Sequence, residues 1–144
     1  MPMTDPTSRD TLEQNWQPIA RPGFNELIGP IEFRDDPDGI RFRFLAEAKH
    51  RNSRGVVHGG MLMSFADTAL GTTIRKGRAS RVQATVQLEL HFVRPAPMDG
   101  FIEMHCRIIR ETRNLAFADG DILADGEIVA MARGVWKVLV SKSD

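Results

Sequence analysis

Residues 55–74, GVVHGGMLMSFADTALGTTI, contain a single formally charged side chain, the carboxylate of Asp67. No proline interrupts the run, and its Ala, Leu and Met content favours a helix. A helix apolar nearly all round must be covered on most of its sides. This requirement limits the fold more than any other feature of the chain. Something long and curved has to wrap a helix running from about 58 to 76, capped by Gly77 after Arg75 and Lys76. The run also poses a chemical question, because a lone Asp is rare on a buried helix.

The flanking sequence supplies strands and no second long helix. FNELIG (24–29) reads as a helical turn ending at Gly29, and PIEFRDDPDGIRFRFLA as a hairpin around DPDG. In its second strand, 40–46, Ile40, Phe42 and Phe44 alternate with Arg41, Arg43 and Leu45. RVQATVQLELHFV sets Val82, Ala84, Val86, Leu88, Leu90 and Phe92 against Arg81, Gln83, Thr85, Gln87, Glu89 and His91, which predicts a strand with one apolar face. RPAPMDG breaks that strand, and FIEMHCRIIRE, LAFADGDILA and EIVAMARGVWKVLV follow. The last two are joined by ADGE, where Asp125-Gly126 suits the positive φ angles of a tight hairpin. Connections this short cannot carry parallel crossovers, so the sheet is mostly antiparallel. One long central helix wrapped by a curved, mostly antiparallel sheet of about six strands is the hotdog architecture, an α+β fold.

A length of 144 residues suits one domain with one core. Residues 1–22, punctuated by Pro2, Pro6, Pro18 and Pro22, read as a flexible arm, which leaves a single domain over 23–144. Lys plus Arg and Asp plus Glu balance at 19 each, so no global field attracts nucleic acid or an anionic membrane. The one cysteine, Cys106, excludes an internal disulfide, fits a reducing compartment and reads as a small buried hydrophobe. The first ten residues lack the pattern of a secretory signal, and no apolar run is long enough to cross a bilayer. The expectation is a cytoplasmic protein.

The chemistry concentrates in HGG and Asp67. The first turn of a helix leaves backbone N–H groups unpaired and partly positive, and Gly59 and Gly60 would let a ligand oxygen approach them. Such amides can hold an ester or thioester carbonyl and stabilise its oxyanion. The plainer alternative is that the glycines only relieve crowding. Asp67 is either a structural carboxylate, bonded to a hydroxyl such as Thr68 or paired with an arginine, or a general base or nucleophile. Eight residues separate Gly59 from Asp67, about 12 Å along a helix axis, so one carbonyl cannot touch both within one chain. If both serve one site, a two-fold dimer with antiparallel helices must bring them together.

The pattern of Asn52, His58-Gly59-Gly60 and Asp67 resembles that of the PaaI-like hotdog acyl-CoA thioesterases. The similarity continues through ATVQLELHFVRPAP, RETRNLAFADGDI and DGEIVAMARGVWKV, covering about 24–140. The resemblance implies a homodimer with two interfacial sites, often paired into a homotetramer, that hydrolyses acyl-CoA to a free acid and CoA. It implies Asp67 as base or nucleophile, the Gly59 amide as carbonyl donor, Asn52 as orienting group and the Thr85 hydroxyl as a partner in placing water. His58 and Gly60 would shape the binding loop. Coenzyme A would lie along Phe92, Val93, Arg94, Pro95 and Ala96 and along the turn holding Arg110, Arg113, Asn114 and Leu115. The three arginines are suited to its phosphates. That turn reads RETRN, without the glycine some relatives carry.

Other readings fit less well. An α/β-hydrolase would need a G-x-S-x-G elbow, and Ser64 has no elbow glycines. The spacing of His50, His58, His91 and His105 matches no metal motif, so no metal and no cofactor beyond the CoA thioester is expected. A hotdog hydratase or dehydratase, and a non-catalytic acyl-CoA binding module, remain the alternatives. Met61, Met63 and Phe65 either shape an acyl pocket or belong to the core, and the acyl group, aromatic or medium-chain, stays open.

Overall fold

The computed structural model describes residues 15–77 and 82–139. Two short elements come first, β1 (Gln17–Pro18) and α1 (Phe24–Ile28). The hairpin β2 (Ile31–Asp36) and β3 (Gly39–Leu45) follows, then a 3₁₀ turn (Ala48–His50) and the long helix α2 (Gly59–Gly77). Four strands complete the fold: β4 (Val82–Phe92), β5 (Phe101–Glu111), β6 (Leu115–Ala124) and β7 (Glu127–Leu139). They form one antiparallel seven-stranded sheet in the order β1-β2-β3-β5-β6-β7-β4. This is the hotdog arrangement. The strand beyond the expected six is β1, which lies in the segment expected to be a flexible arm.

The described part of that arm is tied down. Ile19 N–H donates to the Ile31 carbonyl at 2.8 Å, and the Trp16 ring lies against the guanidinium groups of Arg34 and Arg43 at 4.6 and 4.3 Å. Residues 1–14 and Arg81, named in the sequence reading, lie outside the described residues.

The core lies between α2 and the inner face of the sheet. Phe42 and Phe44 point inward from β3, as their alternation predicts, and Phe44 meets Phe65 of α2 edge-on with ring centroids 4.8 Å apart. Ile102, Met104, Ile122 and Trp136 face the same helix from the sheet. Cys106 is buried among them, and burial pushes its thiol up to about 12, so it is inert at neutral pH. The Asp125-Gly126 turn has the two positive φ angles expected, 51° and 76°.

The strand β4 departs from the expected pattern. Its pairing with β7 slips between Thr85 and Gln87, so Val86 is an extra residue with no partner. Before this bulge Gln83 and Thr85 lie opposite the buried Val138 and Trp136; after it Leu88 and Leu90 lie opposite Gly134 and Ala132. The inward face therefore runs Gln83, Thr85, Leu88, Leu90. Val82, Ala84 and Val86 face out instead of in, and Val82 and Val86 are 67% and 61% exposed. Unbroken alternation in the sequence hides the bulge, because one extra residue inverts the faces without changing the apparent period.

Two consequences can be measured. The Trp136 ring lies over Gly134, where an added Cβ would come within 2.5 Å of the ring and 2.9 Å of the Gln87 carbonyl. Gly134→Ala should therefore lower unfolding free energy by about 1–3 kcal/mol in denaturant melts. At the tip of the β2–β3 hairpin, Asp36 accepts from Arg34 Nε at 2.7 Å and from Arg41 Nε at 2.6 Å. The Arg34 hydrogen bond first, then Arg41, outweigh partial burial and hold this carboxyl below the usual aspartate range. Its contribution is complete above an unfolded-state pKa of about 3.9 and disappears as pH falls through the lower folded value. Asp36→Asn should be less stable than the parent at pH 7, with the gap closing as urea midpoints are measured from pH 5 downward.

Candidate active site

The entrance to α2 is built by two histidines. Buried His50 accepts from Glu47 N–H through Nδ1 at 3.0 Å, so its Nε2 carries the hydrogen toward the Ile28 carbonyl, 2.6 Å away. Its own carbonyl receives His58 N–H at 2.7 Å. Between them Asn52 Oδ1 accepts from Arg54 N–H and Val56 N–H at 2.9 and 3.2 Å, closing the loop into a tight turn.

His58 then caps the helix. Its Nδ1 accepts the Gly60 N–H at 2.8 Å, and its carbonyl receives Met61 N–H at 2.9 Å. The Gly60 amide is thus spent on the cap, whereas the Gly59 N–H has no hydrogen-bond partner among the described residues. A Cβ at Gly59 would stand 3.3 Å from the Phe92 ring, and one at Gly60 would stand 3.0 Å from His58 Nδ1. At either position an added methyl would require the neighbouring exposed ring to shift by a few tenths of an ångström.

Two turns on, Asp67 is half-buried rather than buried. Its Oδ1 accepts the Thr85 hydroxyl at 2.7 Å, across the helix–sheet gap. The sequence reading allowed Thr68 as the hydroxyl partner; Thr68 donates instead to Asn25 Oδ1 at 3.0 Å. Asp67 Oδ2 has no hydrogen-bond partner among the described residues. The pair lines a groove of about 570 Å³ between α2, β4 and the segment before α1. Met63, Ser64, Gln83, Arg21, Asn25 and Arg75 also line it. Met61 and Phe65 are buried in the core, while Met63 is 37% exposed and faces the groove. Ser64 bonds back to the Gly60 carbonyl at 2.8 Å, which occupies its hydroxyl within the helix.

The stretch 92–96 runs past the helix start. Phe92 covers Gly59, Val93 N–H donates to the Val129 carbonyl at 2.8 Å, and Arg94 forms an ion pair with Glu127. Pro95 is exposed; the Ala96 side chain is buried, and its carbonyl holds Val57 N–H at 2.9 Å. The turn with Arg110, Arg113, Asn114 and Leu115 lies at the opposite end of the sheet, near Gly77, with Asn114 accepting Val138 N–H at 2.8 Å. Leu115 closes that turn by donating to Thr112 Oγ1 at 3.0 Å. Arg110 is exposed opposite Phe117. A strand such as β6 separates the two segments by about 30 Å at 3.3 Å per residue, so one chain does not bring them together.

Sequence reasoning missed Arg21, Asn25 and Gln83 as groove residues. No motif marks them; only the fold brings the arm beside α2. A second cavity, about 590 Å³, lies on the outer face of the sheet beside His91, His105, Arg107 and Asp119, with Arg107 paired to Asp119 at 2.5 Å. It is separate from the Asp67 groove. Among the described residues no cluster of three His, Cys, Asp or Glu side chains could hold a metal, and no helix is long and apolar enough to cross a membrane.

Known proteins share this fold. Residues 54–131 match the Thioesterase superfamily. A Pseudomonas aeruginosa protein provisionally named an esterase is 30% identical over 87% of this chain and 96% of its own length. The Mus musculus acyl-coenzyme A thioesterase 13 is 22% identical over 85% of this chain and 94% of that protein. A Bacillus halodurans protein crystallised with CoA superposes with a TM-score of 0.71 at 25% identity, covering 77% of this chain and 75% of that one. The match spans the half of the chain that holds the helix start, Asp67 and Thr85, and the chain belongs to the Thioesterase superfamily of hotdog-fold thioester hydrolases.

Proposed function

We propose that this chain is an acyl-CoA thioesterase whose catalytic site is shared between two subunits. The observation that carries the proposal is the Asp67–Thr85 hydrogen bond in an open groove, on the same helix as the unpartnered Gly59 amide. The Thr85 hydroxyl fixes Asp67 through Oδ1 and leaves Oδ2 to take a proton from water. That water attacks the thioester carbon, its oxygen gathers charge against the Gly59 N–H of the partner, and collapse of the adduct expels the CoA thiolate. Asn52 keeps its side-chain amide N–H groups free to orient substrate or water, since its oxygen is held by the loop. In the alternative route Asp67 Oδ2 attacks the same carbon, the C–S bond breaks to release CoA thiolate, and water then cleaves the resulting acyl–Asp67 anhydride to the free acid.

The exposed stripe of α2 supports the shared site. Gly60 and Met63 are exposed and Ser64 and Asp67 half-buried, a strip centred midway between Gly59 and Asp67. A two-fold axis beside Met63 would lay two such strips antiparallel and set each Gly59 against the other subunit's Asp67. β4 is the sheet edge next to this strip, and its outward Val82 and Val86 are the apolar exposure expected of a strand that pairs with a second copy. The same axis directs the 92–96 segment of one chain toward the 110–115 turn of its partner, so one CoA could touch both. Pairs of dimers would give the tetramer, and the reading calls for no metal, no nucleic acid, no membrane and a cytoplasmic setting.

Asp67→Ala should reduce thiol release from acyl-CoA by about 10²- to 10⁴-fold while the dimer persists in sedimentation; full activity would refute the mechanism. A mixing experiment addresses the sharing. Asp67→Ala and Asn52→Ala subunits, each inactive alone, should on exchange regain about a quarter of wild-type sites, because half the dimers are mixed and each holds one intact site. No recovery after confirmed exchange would place the whole site within one chain.

A further inference from the structure

Thioester hydrolysis accounts for Asp67, Thr85 and Gly59, but not for the two arginines that line the same groove. Arg21 Nη2 donates to Thr72 Oγ1 at 3.0 Å, which aims its guanidinium along α2, and Arg75 lies one turn further on. Both line the groove, where the only carboxylate among the described residues is Asp67, already bonded to Thr85. Arg21 pairs with no carboxylate among the described residues. Burial, and next the charge of Arg75, hold Arg21 below the ordinary arginine value. Two like charges at one end of a groove, one of them partly desolvated, are an arrangement that an anion would relieve.

Resting on the thioesterase reading, we propose that Arg21 and Arg75 form a subsite for an acidic group at the far end of the acyl chain, so that the preferred substrates are CoA thioesters of dicarboxylic acids. Length supports the acyl chain as the source of the anion. Thr72, which holds Arg21, is five residues past Asp67, about 7.5 Å along the axis, the reach of an acyl chain of about six carbons. The other source of an anion is the nucleotide phosphates of CoA, which the shared site would carry toward the 110–115 turn near Gly77, and thioesters that lack the nucleotide separate the two sources. The walls agree. Thr68 donates to the Asn25 oxygen, which leaves the amide N–H groups of this groove-lining residue without a partner among the described residues, while Gln83 Nε2 donates to the Gly71 carbonyl at 2.6 Å. A purely aliphatic tail would offer no acceptor to the half-buried Arg21, whose one hydrogen bond is to Thr72, or to the Asn25 amide.

The test compares adipoyl-CoA with hexanoyl-CoA, equal in carbon number and different only at the far end. The parent enzyme should show kcat/KM about tenfold or more in favour of adipoyl-CoA, the worth of one charge-assisted hydrogen bond. Arg21→Gln should reduce that ratio toward one, mainly through KM for adipoyl-CoA. Equal kcat/KM for the two esters in the parent overturns the proposal and leaves the thioesterase reading standing. A loss in Arg21→Gln that is equal for both CoA esters, and absent with the N-acetylcysteamine thioesters that lack the nucleotide, assigns the arginines to CoA phosphate and also overturns it. So does dissociation of the oligomer in Arg21→Gln, which would make Arg21 an interface cation. A thermal-shift measurement with free adipate and hexanoate does not depend on hydrolysis. Adipate should raise Tm more than hexanoate in the parent, and the difference should vanish in Arg21→Gln. Equal shifts in the parent would count against the subsite even if no thioester were cleaved.

Discussion

The arrangement of the groove depends on the single bulge at Val86. A strand running without interruption beside α2 would offer it either Gln83 and Thr85 or Leu88 and Leu90, because alternate residues must stay on one face. The extra residue gives it both. The half of β4 beside the C-terminal part of α2 becomes polar on its inner face, and the half beside the helix start stays apolar. Thr85 can therefore meet Asp67 at 2.7 Å without opening the core behind it, which Leu88 and Leu90 continue to cover. Gln83, one pleat earlier, bonds to the Gly71 carbonyl, and the missing Cβ at Gly71 lets the strand come that close. The bulge thus places a hydroxyl beside the carboxylate, and it also turns Val82 and Val86 to the outer face of this edge strand.

Much of the fold was legible because burial imposes period. Phe42 and Phe44 alternate with charged residues and are buried as that alternation requires, and Asp125-Gly126 adopts the positive φ angles its turn needs. The long helix was legible for a different reason: few structures can cover a helix with one charge. The bulge was not, since a one-residue insertion is silent in a pattern of period two. The arm was not either. Trp16, Arg21 and Asn25 sit in a polar, proline-punctuated segment, and what holds them is tertiary: guanidinium groups on β2 and β3, and hydroxyls on α2. Of the site, Asp67 and the HGG run stood out because each breaks a rule of its surroundings. The groove residues obey theirs, as ordinary surface polar groups, and acquire meaning only from what the fold places next to them.

The helix start shows how two adjacent glycines come to differ. In sequence Gly59 and Gly60 are equivalent candidates for an oxyanion donor. His58 removes the equivalence by accepting the Gly60 amide at Nδ1, so one donor is retired into the cap and the other stays open. The same bond occupies the His58 nitrogen nearest the helix, so His58 holds the loop and the helix start together. A Ser or Asp cap would satisfy the same amide, but an Asp would place a second negative charge beside the developing oxyanion. A neutral ring caps the helix without opposing the charge that hydrolysis must create. The positive end of the helix thereby stays open, while the one carboxylate on α2, Asp67, lies about 12 Å further along. That separation is too great for one carbonyl, so in the dimer proposed above the geometry that completes each site would be the same geometry that covers the exposed strip of α2. Folding and catalysis would then be served by one partner, a second copy whose helix runs the other way.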